Sequence, residues 1–289
     1  MMRHTTLLLA LTLTATAAVA QTEVQVSSYA FSDGVHPTLS FLLEGTDTKY
    51  VESYWKDELK KISAGVSTKK EVVGSAVLVP QVSPDTVRIL VKAEQRKGSP
   101  MLTAHVAILT TAGYVGPSSD ERVFEAAKSF VQQRSNDLRR QLAQQELTTA
   151  EKGLRDLQNQ LDGLQREKER AEASIVKGEQ RVAEAAEDQI KYKAEAEDLK
   201  VQIASLENEL AATPSESGTK DLERLIRDRK KAEDNERKAF DDERNTKRKS
   251  EELSYAIKKN VEDQAKLSTS IAQQETLVKS LQEKLSAIR

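Results

Sequence analysis

The stretch from residue 180 to residue 228, QRVAEAAEDQIKYKAEAEDLKVQIASLENELAATPSESGTKDLERLIRD, decides the fold of this chain. Helix formers fill residues 180–212, a short group of Thr, Pro, Ser and Gly follows, and helix formers then resume. Pro214 cannot continue a helix, Gly218 relieves the turn, and Thr219 or Asp221 can cap the next helix. The stretch therefore predicts two long helices joined by a hairpin loop at 213–220.

The residues before this loop follow one unbroken heptad register. Its a positions recur every seven residues from Leu154 to Leu210, and its d positions recur from Leu157 to Leu206. Fourteen of these seventeen positions are apolar, and the three exceptions are Lys168, Gly178 and Gln189. A sustained apolar a/d repeat of this length is typical of a coiled coil.

The residues after the loop follow a second register, with a positions from Leu222 to Leu285 and d positions from Leu225 to Ile288. Here twelve of twenty positions are apolar, and the polar ones cluster between Arg229 and Ser250. The two patterns favour a hairpin over one continuous rod, although pairing within one chain and pairing between chains both fit them.

A hairpin centred on the predicted loop brings most polar seam positions level with polar ones, although Glu236 lies near Ala196 or Leu199. In that register Gln189 lies near Glu243 and Thr246, Gly178 lies near Leu253 or Ile257, and Ile288 lies beside Ala143 or Leu147. Gly178, which has no side chain, is thus expected to lie opposite a large side chain.

The N-terminal part of the chain has a different character. Nine of the twelve aromatic residues lie at or before Phe130, and five of the six prolines precede Asp120. Alternating apolar residues predict strands in EVQVSSYAF, TLSFLLEG, TVRILVKAEQ and MLTAHVAIL, and the last two are expected to form a hairpin. Helical spacing around Trp55 and after Asp120 predicts two helices that cover one sheet face.

The predicted fold class is therefore a small α+β N-terminal head, mostly antiparallel sheet covered by helices, followed by a long antiparallel coiled-coil helical hairpin. The predicted boundaries are a signal peptide at 1–20, the head at 21–118, a first helical arm at 119–212, the loop at 213–220 and a second arm at 221–289.

The first twenty residues, MMRHTTLLLALTLTATAAVA, have the layout of a secretory signal peptide. Arg3 and His4 precede a short apolar run, and small residues lead to an expected cleavage after Ala20. We therefore expect a periplasmic or secreted protein with no transmembrane segment in the mature chain. Cysteine is absent, which excludes disulfides, thiolate metal sites and thiol chemistry.

Charge and motif content exclude several functions. The chain has 46 acidic and 44 basic residues, so nothing predicts the one-sided basic surface of a nucleic-acid-binding protein. His36 and His105 have no histidine or acid at metal-ligand spacing. Trp55 and Tyr54 could line a pocket, but Trp55 shares a helical face with other apolar residues and is expected to belong to the core. We predict no catalytic, metal-binding or cofactor-binding residues, no cofactor and no enzymatic activity.

The layout of a small α+β head and a charged helical hairpin is similar to that of exported bacterial proteins without assigned function. It also resembles the periplasmic chaperone family in which a body with helical tentacles holds unfolded outer-membrane proteins. The favoured hypothesis is a non-enzymatic scaffold or protein-protein interaction module of the cell envelope, with protein partners or self-association through the coiled coil. The alternative that the second resemblance implies is a periplasmic holdase-type chaperone.

Overall fold

The structure of the chain is a computed structural model that describes residues 23–288. The predicted signal peptide lies outside the described residues. The described chain divides into two compact units: residues 23–151 together with 277–288, and Lys152–Thr276. The predicted fold class is confirmed, because an antiparallel sheet with covering helices is followed by two long helices that pair as an antiparallel hairpin.

The first unit contains one antiparallel sheet. Its elements in chain order are β1 (Gln25–Phe31), β2 (Gly34–Glu44), α1 (Thr48–Ile62), β3 (Ser63–Ser67), β4 (Val72–Val77), β5 (Val87–Gln95), β6 (Met101–Thr110) and β7 (Gly113–Tyr114). The strand order is β1-β2-β6-β5-β4-β3, and β7 pairs with β6. The predicted hairpin of β5 and β6 is confirmed, whereas β3, β4 and β7 were not predicted, since these short strands lack a clear alternation of apolar and polar residues.

One face of the sheet forms the core. The helix α1 and the first turns of α2 (Glu121–Ala212) cover this face, as the sequence predicts. The buried side chains come from alternate strand positions and from one stripe of each helix: Leu39, Phe41, Leu43, Ile89, Val91, Leu102, Ala104, Val106, Val51, Trp55, Leu59, Ala127, Phe130 and Val131. The unit thus has a core of its own.

Local chemistry fixes how α1 begins and how closely it packs. Asp47 caps the helix by accepting a hydrogen bond from the Tyr50 N–H at 2.8 Å. A Cβ at Gly74 would lie 2.8 Å from Val77 and 3.3 Å from Leu59. A glycine is therefore required where α1 crosses β4.

The opposite face of the sheet is only partly polar. Phe31, Leu90 and Ala107 are buried on this face against Tyr29, Val73 and Tyr114. Strand pairing that sequence alternation does not reveal brings these residues together.

The second unit consists of the middle of α2 and most of α3 (Glu216–Ala287), which run antiparallel. All seventeen seam positions of the first register, and all twenty of the second, are buried or half-buried. The residues between them are mostly exposed. The predicted heptad registers are therefore confirmed at every position.

The predicted axial alignment of α2 against α3 is wrong by about one helical turn. Gly178 lies against Ser250 and Thr246, not against Leu253 or Ile257. A Cβ at Gly178 would be 2.7 Å from Ser250 Oγ, so a small side chain faces the glycine and lets the helices approach closely. The pairing of Gln189 with Glu243 is confirmed by a hydrogen bond of 2.6 Å.

The cause of this shift is the turn. The connection comprises only residues 213–215, because α3 begins at Glu216 and not after residue 220. Ser215, not Thr219 or Asp221, caps α3 by accepting a hydrogen bond from the Gly218 N–H at 3.1 Å. A shorter turn moves the fold-back point toward the N-terminus, and the partners of Gly178 and Ile288 shift with it. Accordingly the Ile288 carbonyl meets Arg140, one turn before the predicted Ala143.

We predict that two glycines of α2 respond oppositely to leucine. Gly178→Leu should lower the free energy of unfolding by about 1–3 kcal/mol, since the added side chain must displace Ser250. Gly163→Leu should leave it unchanged or raise it by up to about 1 kcal/mol, since nothing lies within 4 Å of a Cβ there and leucine is the better helix former. Urea unfolding followed by circular dichroism measures both, and equal effects would contradict the close approach at Gly178.

Candidate interaction surfaces

The residues that the sequence singles out for possible chemistry lie in separate places. Trp55 is fully buried in the core. The Tyr54 hydroxyl donates a hydrogen bond to the Arg134 carbonyl at 3.1 Å, and burial raises the pKa of Tyr54. The neighbouring acids Asp57 and Glu58 have different partners, Lys60 for the first and Arg134 for the second. None of these residues faces another across a pocket.

His36 belongs to a small surface cluster at the tip of the β1–β2 hairpin. Its Nε2 lies 2.9 Å from an Asp33 oxygen, and its ring stacks on Tyr114 with centroids 3.8 Å apart. Burial alone would raise the pKa of Asp33, but the hydrogen bond with His36 and the charges of His36 and Arg88 lower it. The cluster closes the hairpin over β7.

His105 lies in a hydroxyl network on the outer sheet face. Its Nδ1 is 2.9 Å from Ser40 Oγ, and Ser40 Oγ is also 2.7 Å from Ser27 Oγ and 3.1 Å from Thr38 Oγ1. The Tyr29 ring stacks on the imidazole with centroids 4.3 Å apart. The antiparallel pairing of β2 with β6 places Ser40 directly opposite His105. The sequence predicts no histidine or acid partner for either histidine; the partner of His105 is a hydroxyl, whereas His36 does contact an acid, Asp33.

This network has the residue types of a nucleophile and base but not their setting. Ser40 is 6% exposed, and its hydroxyl is already shared among three neighbours. Burial lowers the pKa of His105, while the charge of Glu94 acts in the opposite direction. The arrangement can hold β1 and β2 in register against β6.

Within residues 23–288, no group of three or more His, Cys, Asp or Glu side chains could hold a metal ion.

The free edge of the sheet is the most open feature of the first unit. β1 is the terminal strand and pairs regularly with β2 over all seven of its residues. Pro37, which lies opposite Ser28, has no N–H to exchange, so the Ser28 backbone groups point away from β2. By the same alternation, the backbone N–H and C=O groups of Val26 and Ala30 also point away from β2. Val24 follows the same alternation, because its N–H donates a hydrogen bond to the Gln132 side chain at 3.0 Å and not to β2.

The composition of β1 leaves this edge unprotected. Its sequence QVSSYAF has no charged residue and no proline, and its pairing shows no bulge. The other terminal strand, β3, is shorter, contains Gly65, and is followed by Lys69 and Lys70. Natural sheets protect their edges with charges, prolines, bulges or short strands. β1 has none of these protections.

The two long helices have no membrane-spanning character. Among the helices of residues 23–288, none has an apolar window long enough to cross a membrane.

Comparisons with known proteins show a similarity to a coiled-coil segment and no matching family. No protein-family model matches it, and no curated protein matches it. The chain is similar to a coiled-coil segment of Smc from Pyrococcus yayanosii, with 24% identity over 57% of this chain and 77% of that chain and a TM-score of 0.33. The assignment of a coiled coil rests on the buried seam of the chain itself.

We predict that protonation of His105 destabilises the first unit. Because its pKa is below its ordinary value of about 6.5, the unfolded chain binds more protons near that pH, and stability falls as the pH is lowered through 6.5. His105→Gln removes this titration, so its melting temperature should fall less than that of the parent chain between pH 7.5 and pH 5.5. Ser27→Ala is the control, because it removes a hydroxyl of the same network but keeps His105, and it should retain the pH dependence of the parent chain. An unchanged pH dependence in His105→Gln would contradict the prediction.

Proposed function

We propose that the protein is a non-enzymatic scaffold of the cell envelope, and that it binds a protein partner through the open edge of β1. One observation carries this proposal: β1 presents the outward N–H and C=O groups of Val26, Ser28 and Ala30 along an uncharged, regular edge. An extended segment of another chain can add to such an edge as a further strand, with main-chain hydrogen bonds supplying the affinity.

The side chains at this edge suit a neutral strand. Val26, Ser28 and Ala30 are all exposed, and they alternate with Ser27 and Tyr29 on the other face. An added strand would place its own side chains beside small or hydroxyl-bearing neighbours, with no like charge to oppose it. We therefore propose a partner segment of alternating small, hydroxyl and apolar residues.

The cellular location is part of the proposal. The charged start, short apolar run and small residues before Gln21 support export and cleavage after Ala20. The mature protein would then work in the periplasm or outside the cell. N-terminal sequencing of the protein isolated from its host tests this point: the expected first residue is Gln21, and an intact Met1 would contradict export by this route.

The helical hairpin favours a scaffold over the holdase alternative. The seam side chains of both arms are covered by the opposite helix, so an unfolded client could contact only the apolar residues that lie outside the seam. Absence of enzymatic activity is likewise a proposal. It is supported by the closed hydroxyl network around His105, in which Ser40 is buried.

The edge can be tested by photo-crosslinking in intact cells. A photoreactive amino acid at Ala30 should give a discrete protein adduct, whereas the same probe at Val35, which is 69% exposed on β2, should not. Adding Ser28→Pro to the Ala30 probe should abolish the adduct, because proline removes the outward N–H without removing a bond to β2. Ser28→Ala, which keeps that N–H, should retain it.

Unchanged melting of the Ser28→Pro variant provides the folding control. Equal adducts at Ala30 and Val35, or an adduct that survives Ser28→Pro in a folded protein, would contradict strand addition at β1.

A further inference from the structure

An apolar row lies on α2 outside the heptad seam. Val176 and Ile190 are 55% and 73% exposed, and exposed Ala183 lies midway between them. The three residues are seven apart, so they share one face of the helix. In the confirmed register they are b positions. The next b positions, Glu169 and Glu197, are acidic and end the row on both sides.

Phe240 of α3 extends this row into a patch. It is 53% exposed and occupies an e position, and the Gln189–Glu243 hydrogen bond places it level with residues 186–190 of α2. In an antiparallel pair, the e and b positions of both helices lie on one flank and the g positions on the other. The ion pair of Arg181 with Asp242, both g positions, marks that other flank. Ala186, an e position of α2, is half-buried on the flank of Phe240.

The apolar patch coincides with the most polar part of the seam. At these levels Gln189 pairs with Glu243, and Gly178 faces Ser250 and Thr246. Hydrogen bonds from Lys247 and Gln189 lower the pKa of Glu243, which keeps the carboxylate charged within the seam. Polar seam residues fix register but weaken a coiled coil. This segment therefore buries little apolar surface inside while exposing large apolar side chains outside.

We propose that a second copy of this chain docks on the patch formed by Val176, Ala183, Ile190 and Phe240, with the two α2 helices antiparallel. The patch is complementary to itself. A two-fold axis through Ala183 sets Val176 opposite Ile190 of the partner subunit, and the small alanines meet on the axis. Such an isologous contact closes on itself as a dimer.

Charged residues beside the patch support docking of a second copy of this chain. Glu172 and Lys193 are e positions on the same flank, eleven residues before Ala183 and ten residues after it. The two-fold axis therefore brings Glu172 close to Lys193 of the partner subunit, and symmetry repeats the pair. Within its own chain Glu172 pairs with Lys168 at 2.9 Å, an exposed contact that is easily exchanged.

This inference does not depend on the strand edge. Failure of crosslinking at Ala30 would contradict strand addition at β1 but not the dimer. A protein that is monomeric at all concentrations would contradict the dimer but not strand addition.

Sedimentation equilibrium of the purified protein tests the patch. We expect a dimer whose dissociation constant rises at least tenfold in Ile190→Glu. Val201→Glu provides the matched control, because Val201 is 68% exposed on the same helix but lies beyond Glu197, which ends the apolar row. It should leave dimerisation unchanged. A monomer at all concentrations, or a dimer that tolerates Ile190→Glu, would overturn the proposal.

Charge reversal tests the antiparallel geometry. Glu172→Lys and Lys193→Glu should each weaken the dimer by about tenfold, since each breaks two symmetry-related pairs and opposes like charges. The double variant should regain the parent affinity. Positions 172 and 193 lie about 30 Å apart on one helix, so restoration can arise only between copies. Failure of the double variant to recover, with parent-like melting, would overturn the antiparallel arrangement.

A disulfide gives a third test with a different readout. The chain has no cysteine, so Ala183→Cys places a single thiol on the proposed axis. Mild oxidation should link it into a covalent dimer, whereas Ala173→Cys at an exposed f position should not react at dilute protein concentration. Equal linkage at both positions would mean random collision and would count against the axis at Ala183.

Discussion

Without α3, the apolar seam of α2 would face water along its length. Isolated helices gain little stability from their own hydrogen bonds and depend on packing of an apolar stripe. The antiparallel pairing of α2 and α3 supplies that packing from Leu154 to Leu210 on one arm. Only three residues connect the helices, so the turn at 213–215 also determines which residues meet. Seam and turn together determine the structure of the second unit.

Polar residues in the seam give the pairing its specificity. Asn260 donates a hydrogen bond to the Leu164 carbonyl at 3.0 Å, and Gln189 donates to Glu243. Each of these side chains would lose its partner if the helices slid by one turn, and an unsatisfied polar group in a seam is costly. Gly178 adds a steric condition, because only a small residue such as Ser250 fits opposite it. These residues reduce the apolar surface buried between the helices, but they permit only one axial alignment of α2 against α3.

Heptad positions, helix α1 and the β5–β6 hairpin were all predictable, because each depends on periodicity within a short segment. The level of the helices was not predictable, since it depends on whether Ser215 or a later residue caps α3. The network around His105 was also hidden from the sequence. Ser40 and His105 are 65 residues apart and meet only because β2 pairs with β6. Alternating Ser and Thr on β1 and β2 was the only local signal of that network.

The open edge of β1 and the helical hairpin offer two independent surfaces for association, and the second presupposes the pairing of α2 with α3 within one chain. A double-cysteine variant measures that pairing most directly in this cysteine-free protein. Ser250 Oγ lies 2.7 Å from the Cβ position of residue 178, so Gly178→Cys with Ser250→Cys satisfies the Cβ separation of about 4 Å that a disulfide requires. We expect rapid, nearly complete oxidation to an intramolecular disulfide, and little for Gly178→Cys with Ile257→Cys. Preferential linkage of 178 to 257, or only intermolecular disulfides, would contradict the hairpin described above.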